Sequence, residues 1–136
     1  MIGLDTNIII RYVMRDDEPQ AQAADTLIEG FTAQDPGCIS HITLVEVWWV
    51  LTRVYKLKDA DVAAFLDTLL NTASLALQNP DLVHKALRAV KTNHADFADA
   101  LIAAVDADAG CTETKTFDTK AAKRAGMTLL NPKAHQ

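Results

Sequence analysis

Apolar residues recur along this chain in two alternating patterns, short uninterrupted runs and longer stripes with a 3.6-residue period. Short runs that predict strands lie at 1–4, 38–40 and 74–77, with weaker ones at 113–117 and 127–130. Stripes typical of amphipathic helices lie between them, at 20–31, from Thr43 onward, and at 60–71, 79–91, 96–109 and 120–125. Strands that alternate with helices predict an α/β domain with a mostly parallel sheet.

Two segments leave alternatives open. The β-branched run in residues 7–14 favours a strand, but Thr6 can cap a helix, and Ile8, Ile9, Tyr12 and Val13 would share one helical face. Trp48 and Trp49 are adjacent on a predicted helix, so they cannot both face the core. One ring is expected in the core, and the other either packs within the domain or belongs to an exposed apolar patch.

Length and composition predict one domain over residues 1–136. The chain is 49% hydrophobic and 23% charged, an ordinary globular balance, and no linker or repeat interrupts it. No window of ~18 uninterrupted apolar residues predicts a membrane span. The first ten residues lack a basic region and carry Asp5 within their apolar stretch, unlike a signal peptide. A cytoplasmic protein with no membrane partner and two reduced, buried cysteines is expected.

The formal net charge of −5 does not by itself indicate a nucleic-acid partner, because such proteins are usually basic. Local charge matters more than the sum. The basic residues form three sets, Arg11 with Arg15, then Arg53, Lys56 and Lys58, then Lys115, Lys120, Lys123 and Arg124. Each set alone is typical of a solvated face.

Two aspartates directly follow predicted strands. Asp5 ends the first apolar run, beside Thr6 and Asn7, and Asp118 follows Thr116-Phe117. In parallel α/β sheets, ligands bind at the carboxyl ends of the strands. The structural alternative for both is an Asx-turn or the cap of the next helix.

Three further acids lie near predicted helix starts. Thr43-x-x-Glu46 fits a capping box, in which the glutamate binds a backbone N–H. Asp96 and Asp99 are three residues apart on one helical face, where they repel each other unless the helix N-terminus or a cation offsets the charge. Together with Asp5 and Asp118, these acids predict a divalent metal site, because Mg²⁺ prefers oxygen ligands.

The residues around these acids resemble the PIN-domain family, and especially its VapC-type toxins, over nearly the whole chain. The matching segments, in order, are Leu4-Asp5-Thr6-Asn7, residues 40–46 (SHITLVE), residues 96–104 (DFADALIAA) with Gly110-Cys111, and Thr116-Phe117-Asp118. One departure is the polar CTETK at 111–115, where the family's strand is usually apolar.

The resemblance implies a five-stranded parallel sheet between helices and an acidic pocket that binds Mg²⁺ or Mn²⁺ and cleaves single-stranded or looped RNA. It implies that Asp5, Glu46, Asp99 and Asp118 are the core acids. Asp96 would be an auxiliary acid, and Thr6, Asn7 and Thr116 would orient ligands or water. Metal ligands would come from Asp5, Asp99, Asp118 and Asp96. The implied partners are an antitoxin protein and a second copy of the chain.

The alternative function is an acidic Mg²⁺-binding phospho-acceptor or binding module without nuclease activity. Such a module needs a nucleophilic aspartate and a lysine near the last strand, a place that Lys115 or Lys120 would fill. It gives no role to Glu46. A nuclease for structured DNA, or a protein with a degenerate site, fits the short chain and the complete acidic set less well.

Overall fold

The computed structural model describes residues 1–132 and divides the chain into two compact units, Met1–Pro80 and a second that begins at Asp81. The elements up to Pro80 are β1 (Ile2–Gly3), α1 (Thr6–Met14), α2 (Glu18–Glu29), β2 (Gly37–Ile39), α3 (His41–Trp49), a π-helical turn (Val50–Val54), α4 (Asp59–Leu70) and β3 (Leu75–Leu77). The chain continues as α5 (Pro80–Asn93), α6 (Phe97–Asp108), β4 (Lys115–Thr116), α7 (Thr119–Arg124) and β5 (Thr128–Leu129). The α/β class with parallel strands is confirmed, and the single domain over 1–136 stays a prediction.

The first unit is built on a three-stranded parallel sheet in the order β1-β2-β3. Ile2 pairs with Gly37, and Ile39 pairs with Leu77. The central strand β2 buries Ile39 almost completely, at 1% exposure. Gly37 leaves room for a ring, because a Cβ there would lie only 2.4 Å from Cε2 of Phe31.

The prediction of one five-stranded sheet is wrong for the described residues. β4 and β5 pair only with each other, as a separate two-stranded parallel sheet in which Lys115 pairs with Thr128 and Thr116 with Leu129. Each strand is two residues long, and none of these four residues is buried. A central strand of a parallel sheet is covered on both faces and is therefore largely apolar. The polar segment that leads into β4 does not meet that condition.

The ambiguous segment after Asp5 is a helix. α1 buries Ile9 and Ile10, each 2% exposed, and ends where Arg15 adopts a left-handed conformation with φ of 57°. Of the two tryptophans, Trp48 is in the core at 2% exposure and Trp49 is 48% exposed. Both cysteines are free thiols, but neither is buried as expected, since Cys38 is half-buried and Cys111 is exposed. No helix within residues 1–132 has the length and apolarity needed to cross a bilayer.

Polar contacts fix the α1–α2 connection against the end of the π-helical turn. Tyr55 Oη donates to Oδ2 of Asp16 at 2.6 Å, and Arg11 contacts Oδ1 of Asp16 at 3.2 Å. Arg15 binds both carboxylate oxygens of Asp25, at 2.9 and 2.7 Å. The hydrogen bond from Tyr55, helped by the charge of Arg11, lowers the pKa of the Asp16 carboxyl. The hydrogen bond from Arg15 lowers the pKa of Asp25 in the same way.

We predict that Tyr55→Phe raises the pKa of Asp16 toward the ordinary value of about 3.9. A depressed folded-state pKa stabilises the protein above the unfolded pKa, and this stabilisation is lost as pH falls through the folded pKa. The stability difference between wild type and Tyr55→Phe should therefore be full at neutral pH and shrink below about pH 4. NMR titration of the Asp16 carboxyl carbon measures the pKa directly.

Tyr12→Phe is the matched control, because the Tyr12 hydroxyl has no hydrogen bond to any residue in 1–132. An Asp16 pKa that is the same in Tyr55→Phe and wild type would show that this contact does not hold the carboxylate in solution.

Candidate functional site

Asp5 lies at the junction between β1 and α1, as the sequence predicts. Leu4 extends the strand pairing, since its N–H donates to Cys38 O at 2.9 Å, and its side chain is buried. Asp5 is then the N-cap of α1, and its Oδ1 accepts from Thr6 N–H at 2.7 Å. The alternative role of Asp5 as a helix cap is thus confirmed for its Oδ1 atom. The side chain is exposed, so the cap leaves Oδ2 available to a ligand.

Thr6 and Asn7 follow Asp5 in very different surroundings. Thr6 is 6% exposed, and its Oγ1 is buried without a hydrogen-bond partner among residues 1–132. A buried hydroxyl without a partner costs about 1–3 kcal/mol, so such a group usually serves a ligand or an ordered water. Asn7 is exposed and lines an open groove of about 440 Å³ with Arg11 and Gln20.

Glu46 lies in the interior of α3, and the predicted capping box is wrong. The helix begins at His41, and Ser40 is its N-cap, with Oγ accepting from Thr43 N–H at 3.2 Å. Glu46 is therefore the sixth residue of the helix, where the backbone N–H groups are already bonded within the helix. Its side chain is exposed and makes no hydrogen bond or ion pair within the described part of the chain.

Asp96 and Asp99 lie at the start of α6. Asp96 is the N-cap, and its Oδ2 accepts from Asp99 N–H at 3.1 Å. Asp99 is in the first turn, where the positive end of the helix dipole favours an acid. Both side chains are half-buried. The structural alternative is confirmed for Asp96, which is the N-cap, whereas Asp99 lies inside the first turn of the helix.

Asp118 connects β4 to α7. Its Oδ1 accepts from the N–H groups of Lys120 and Ala121, at 2.8 and 3.3 Å. Thr116 fixes the preceding turn, because its Oγ1 accepts from Asp118 N–H at 3.0 Å. The cap alternative is confirmed here too, and the hydroxyl of Thr116 positions the backbone of Asp118.

The predicted residues fall into two groups, with Asp5, Thr6, Asn7 and Glu46 in the first unit and Asp96, Asp99, Thr116 and Asp118 in the second. Within residues 1–132, no three His, Cys, Asp or Glu side chains are gathered in a metal-binding cluster. Mg²⁺ typically uses one or two carboxylates together with waters and substrate phosphate. Exposed carboxylates and an unpartnered Thr6 hydroxyl fit that donor chemistry. The shared metal site stays a prediction.

The three basic sets differ in ways that the sequence did not indicate. Arg11 and Arg15 are neutralised by Asp16 and Asp25, and Lys115 is paired with Glu113 at 2.9 Å. Arg53, Lys56 and Lys58 have no ion pair with any described residue, and the Arg53 guanidinium lies 5.8 Å from the centre of the Trp49 ring. Ser40 was also missed as a cap, although its place before an apolar helix is a recognised signal.

Comparison with known protein families matches the PIN domain to residues 2–127. The chain belongs to the PIN domain family. PIN domains are generally nucleases that use divalent metal ions and bind RNA. No curated protein sequence matches the chain significantly. The family assignment therefore rests on the PIN domain match. The matched region begins before Asp5 and ends after Asp118, and so includes every predicted site residue.

Proposed function

We propose that this PIN domain is a Mg²⁺-dependent endoribonuclease, with Mn²⁺ as a substitute, that cleaves single-stranded or looped RNA. We further propose that it is the toxin of a toxin–antitoxin pair, acts in the cytoplasm, forms a homodimer and is bound by a cognate antitoxin. The support is the family match over residues 2–127 together with the four ordered segments that resemble VapC-type toxins.

The observation that carries the enzymatic proposal is the environment of Glu46. Asp5, Asp96 and Asp118 all have structural roles as helix caps. Glu46 has no such role, since Ser40 caps its helix and no described side chain pairs with its carboxylate. No described contact gives Glu46 a role in the fold, and its position matches a core acid of the resembling family, which supports a catalytic role.

The proposed roles follow from the donor groups. Asp5 and Asp99 would hold the principal cation, and Asp118 with Asp96 would serve a second ion. When bound, such an ion supplies positive charge beside the scissile phosphate and makes water more acidic. Glu46 accepts a proton from the attacking water. The water oxygen forms a bond to phosphorus, the bond from phosphorus to the 3′ oxygen breaks, and that oxygen takes up a proton. The products carry a 5′-phosphate and a 3′-hydroxyl.

Thr6, Asn7 and Thr116 would support the reaction by orienting ligands, water or the acidic side chains. Thr6 offers its buried hydroxyl to a water or a ligand beside Asp5. Asn7 presents an exposed amide one residue further along. Thr116 holds the turn from which Asp118 extends. The phospho-acceptor alternative is less well supported, because Lys115 is already paired with Glu113, which leaves only Lys120 for the required lysine, and Glu46 would have no function in it.

We predict that Asp5→Asn and Asp99→Asn abolish cleavage while the fold persists. Asparagine is as good an N-cap as aspartate, so Asp5→Asn should keep the cap of α1. Urea unfolding in metal-free buffer should give stabilities equal to or above that of wild type. A matched Asp5→Ala variant should lose about 1 kcal/mol, because it removes the cap. A large loss of stability in both asparagine variants would show that the acids are structural.

Glu46→Gln gives the sharpest test of a catalytic role. We expect cleavage to fall by about 10²–10³-fold, as for other removed electrostatic groups in active sites, with unfolding free energy unchanged. Ser40→Ala is the mirror control, which should cost about 1 kcal/mol of stability and leave cleavage largely intact. Wild-type cleavage by Glu46→Gln would remove this residue from the site and contradict its proposed role as the proton acceptor for the attacking water.

A further inference from the structure

Glu46, Trp49 and Arg53 follow one another at spacings of three and four residues along α3 and the π-helical turn. Residues so spaced are neighbours on a helix surface. The rise of 1.5 Å per residue places Trp49 about 4.5 Å and Arg53 about 10 Å along the axis from Glu46. All three side chains are exposed, and Arg53 contacts the Trp49 ring. The proposed catalytic acid and the Trp–Arg pair thus share one open surface.

The exposure of Trp49 is energetically unfavourable, because 48% of the surface of this large apolar side chain is accessible to solvent. Its neighbour Trp48 shows that this helix can bury an indole fully. An exposed aromatic ring with a guanidinium beside it is the combination on which proteins stack the bases of single strands. Stacking on such a ring tolerates any base, because every base has a π-face.

The charges around Trp49 favour an anionic occupant. Arg53, Lys56 and Lys58 are exposed and have no ion pair within residues 1–132. Asp59 and Asp61 follow in the first turn of α4, where the helix N-terminus favours them, and neither is paired with these cations. Arg11 and Arg15, by contrast, are held by aspartates.

The π-helical turn determines the positions of Arg53, Lys56 and Lys58 at the end of the helix. Tyr55 N–H donates to Val50 O at 3.1 Å, the wide bonding pattern of a π-helix, and Lys56 then takes a left-handed conformation with φ of 59°. Such single turns occur often at functional sites. Tyr55 itself is anchored to Asp16, which fixes the point where the chain leaves the helix.

We propose that Trp49 and Arg53 form a stacking platform for a base of single-stranded RNA, and that Arg53, Lys56 and Lys58 bind its backbone phosphates beside Glu46. This inference rests on the proposed ribonuclease function and names the surface that holds its substrate. The platform binds RNA and does not take part in bond cleavage.

The test is a fluorescence-anisotropy titration of dye-labelled eight-residue oligouridylate and oligoadenylate with the full chain, in EDTA to prevent cleavage, which measures affinity in variants that lack Trp49 as well. In wild type, binding should also quench the fluorescence of Trp49. Trp49→Leu should weaken binding roughly tenfold with an unchanged salt dependence, since it removes stacking. Trp49→Phe should lose less, because it keeps a ring. Arg53→Gln should weaken binding and also reduce the slope of log affinity against log salt by about 0.7, as for one lost phosphate contact.

Arg88→Gln is the matched charge control, because Arg88 is an exposed arginine of α5 and not one of the proposed contact residues, and it should change neither value. Wild-type affinity in Trp49→Leu would overturn the platform. So would a wild-type dimer that dissociates in Trp49→Leu while RNA binding is unchanged, since the occupant would then be a second copy. A chain that binds no RNA overturns the platform and the RNA substrate together.

The two proposals fail separately. If wild type cleaves RNA but Trp49→Leu binds it as tightly, the platform is wrong and the nuclease stands. If wild type binds RNA through Trp49 yet does not cleave it with Mg²⁺, the platform stands and the nuclease is wrong.

Discussion

β1, β2, β3 and β4 are each joined to the next helix within a few residues, and the free N–H groups at each helix start must find acceptors. At three of these junctions a short polar side chain satisfies this requirement. Asp5 connects β1 to α1, Ser40 connects β2 to α3, and Asp118 connects β4 to α7. The requirement that caps the helices therefore also brings acids to the carboxyl ends of strands, where α/β proteins bind ligands.

The capping requirement explains why a structural and a catalytic role do not exclude each other here. A capping aspartate uses one oxygen for backbone N–H groups, as Oδ1 of Asp5 and of Asp118 do. The cap also fixes the carboxylate in direction, which a ligand requires. Glu46 and Thr6 are different, because neither the Glu46 carboxylate nor the Thr6 hydroxyl is used in folding within residues 1–132. The Glu46 carboxylate and the Thr6 hydroxyl therefore distinguish a candidate ligand-binding site from a set of acids that only cap helices.

The sequence predicted the helices well because their apolar stripes extend over several turns, and it placed β1, β2 and β3 within one or two residues. It failed where the signal was short. Ser40 and Thr43 are both good capping residues three positions apart, and only the end of β2 at Ile39 decides between them. The five-stranded sheet came from the resemblance, and the two-residue strands β4 and β5 are too short and polar to support it. A common site for the acids of both units depends on long-range placement that no local pattern encodes.

We propose above all that this PIN domain hydrolyses RNA with the help of a divalent cation. The most direct measurement is incubation of the purified chain with a total RNA pool, with Mg²⁺ or with EDTA, followed by mapping of the new ends. We expect 5′-phosphate and 3′-hydroxyl ends that disappear in EDTA and return when Mg²⁺ or Mn²⁺ is added in excess. Full cleavage in EDTA, or ends with a cyclic phosphate, would contradict the proposal.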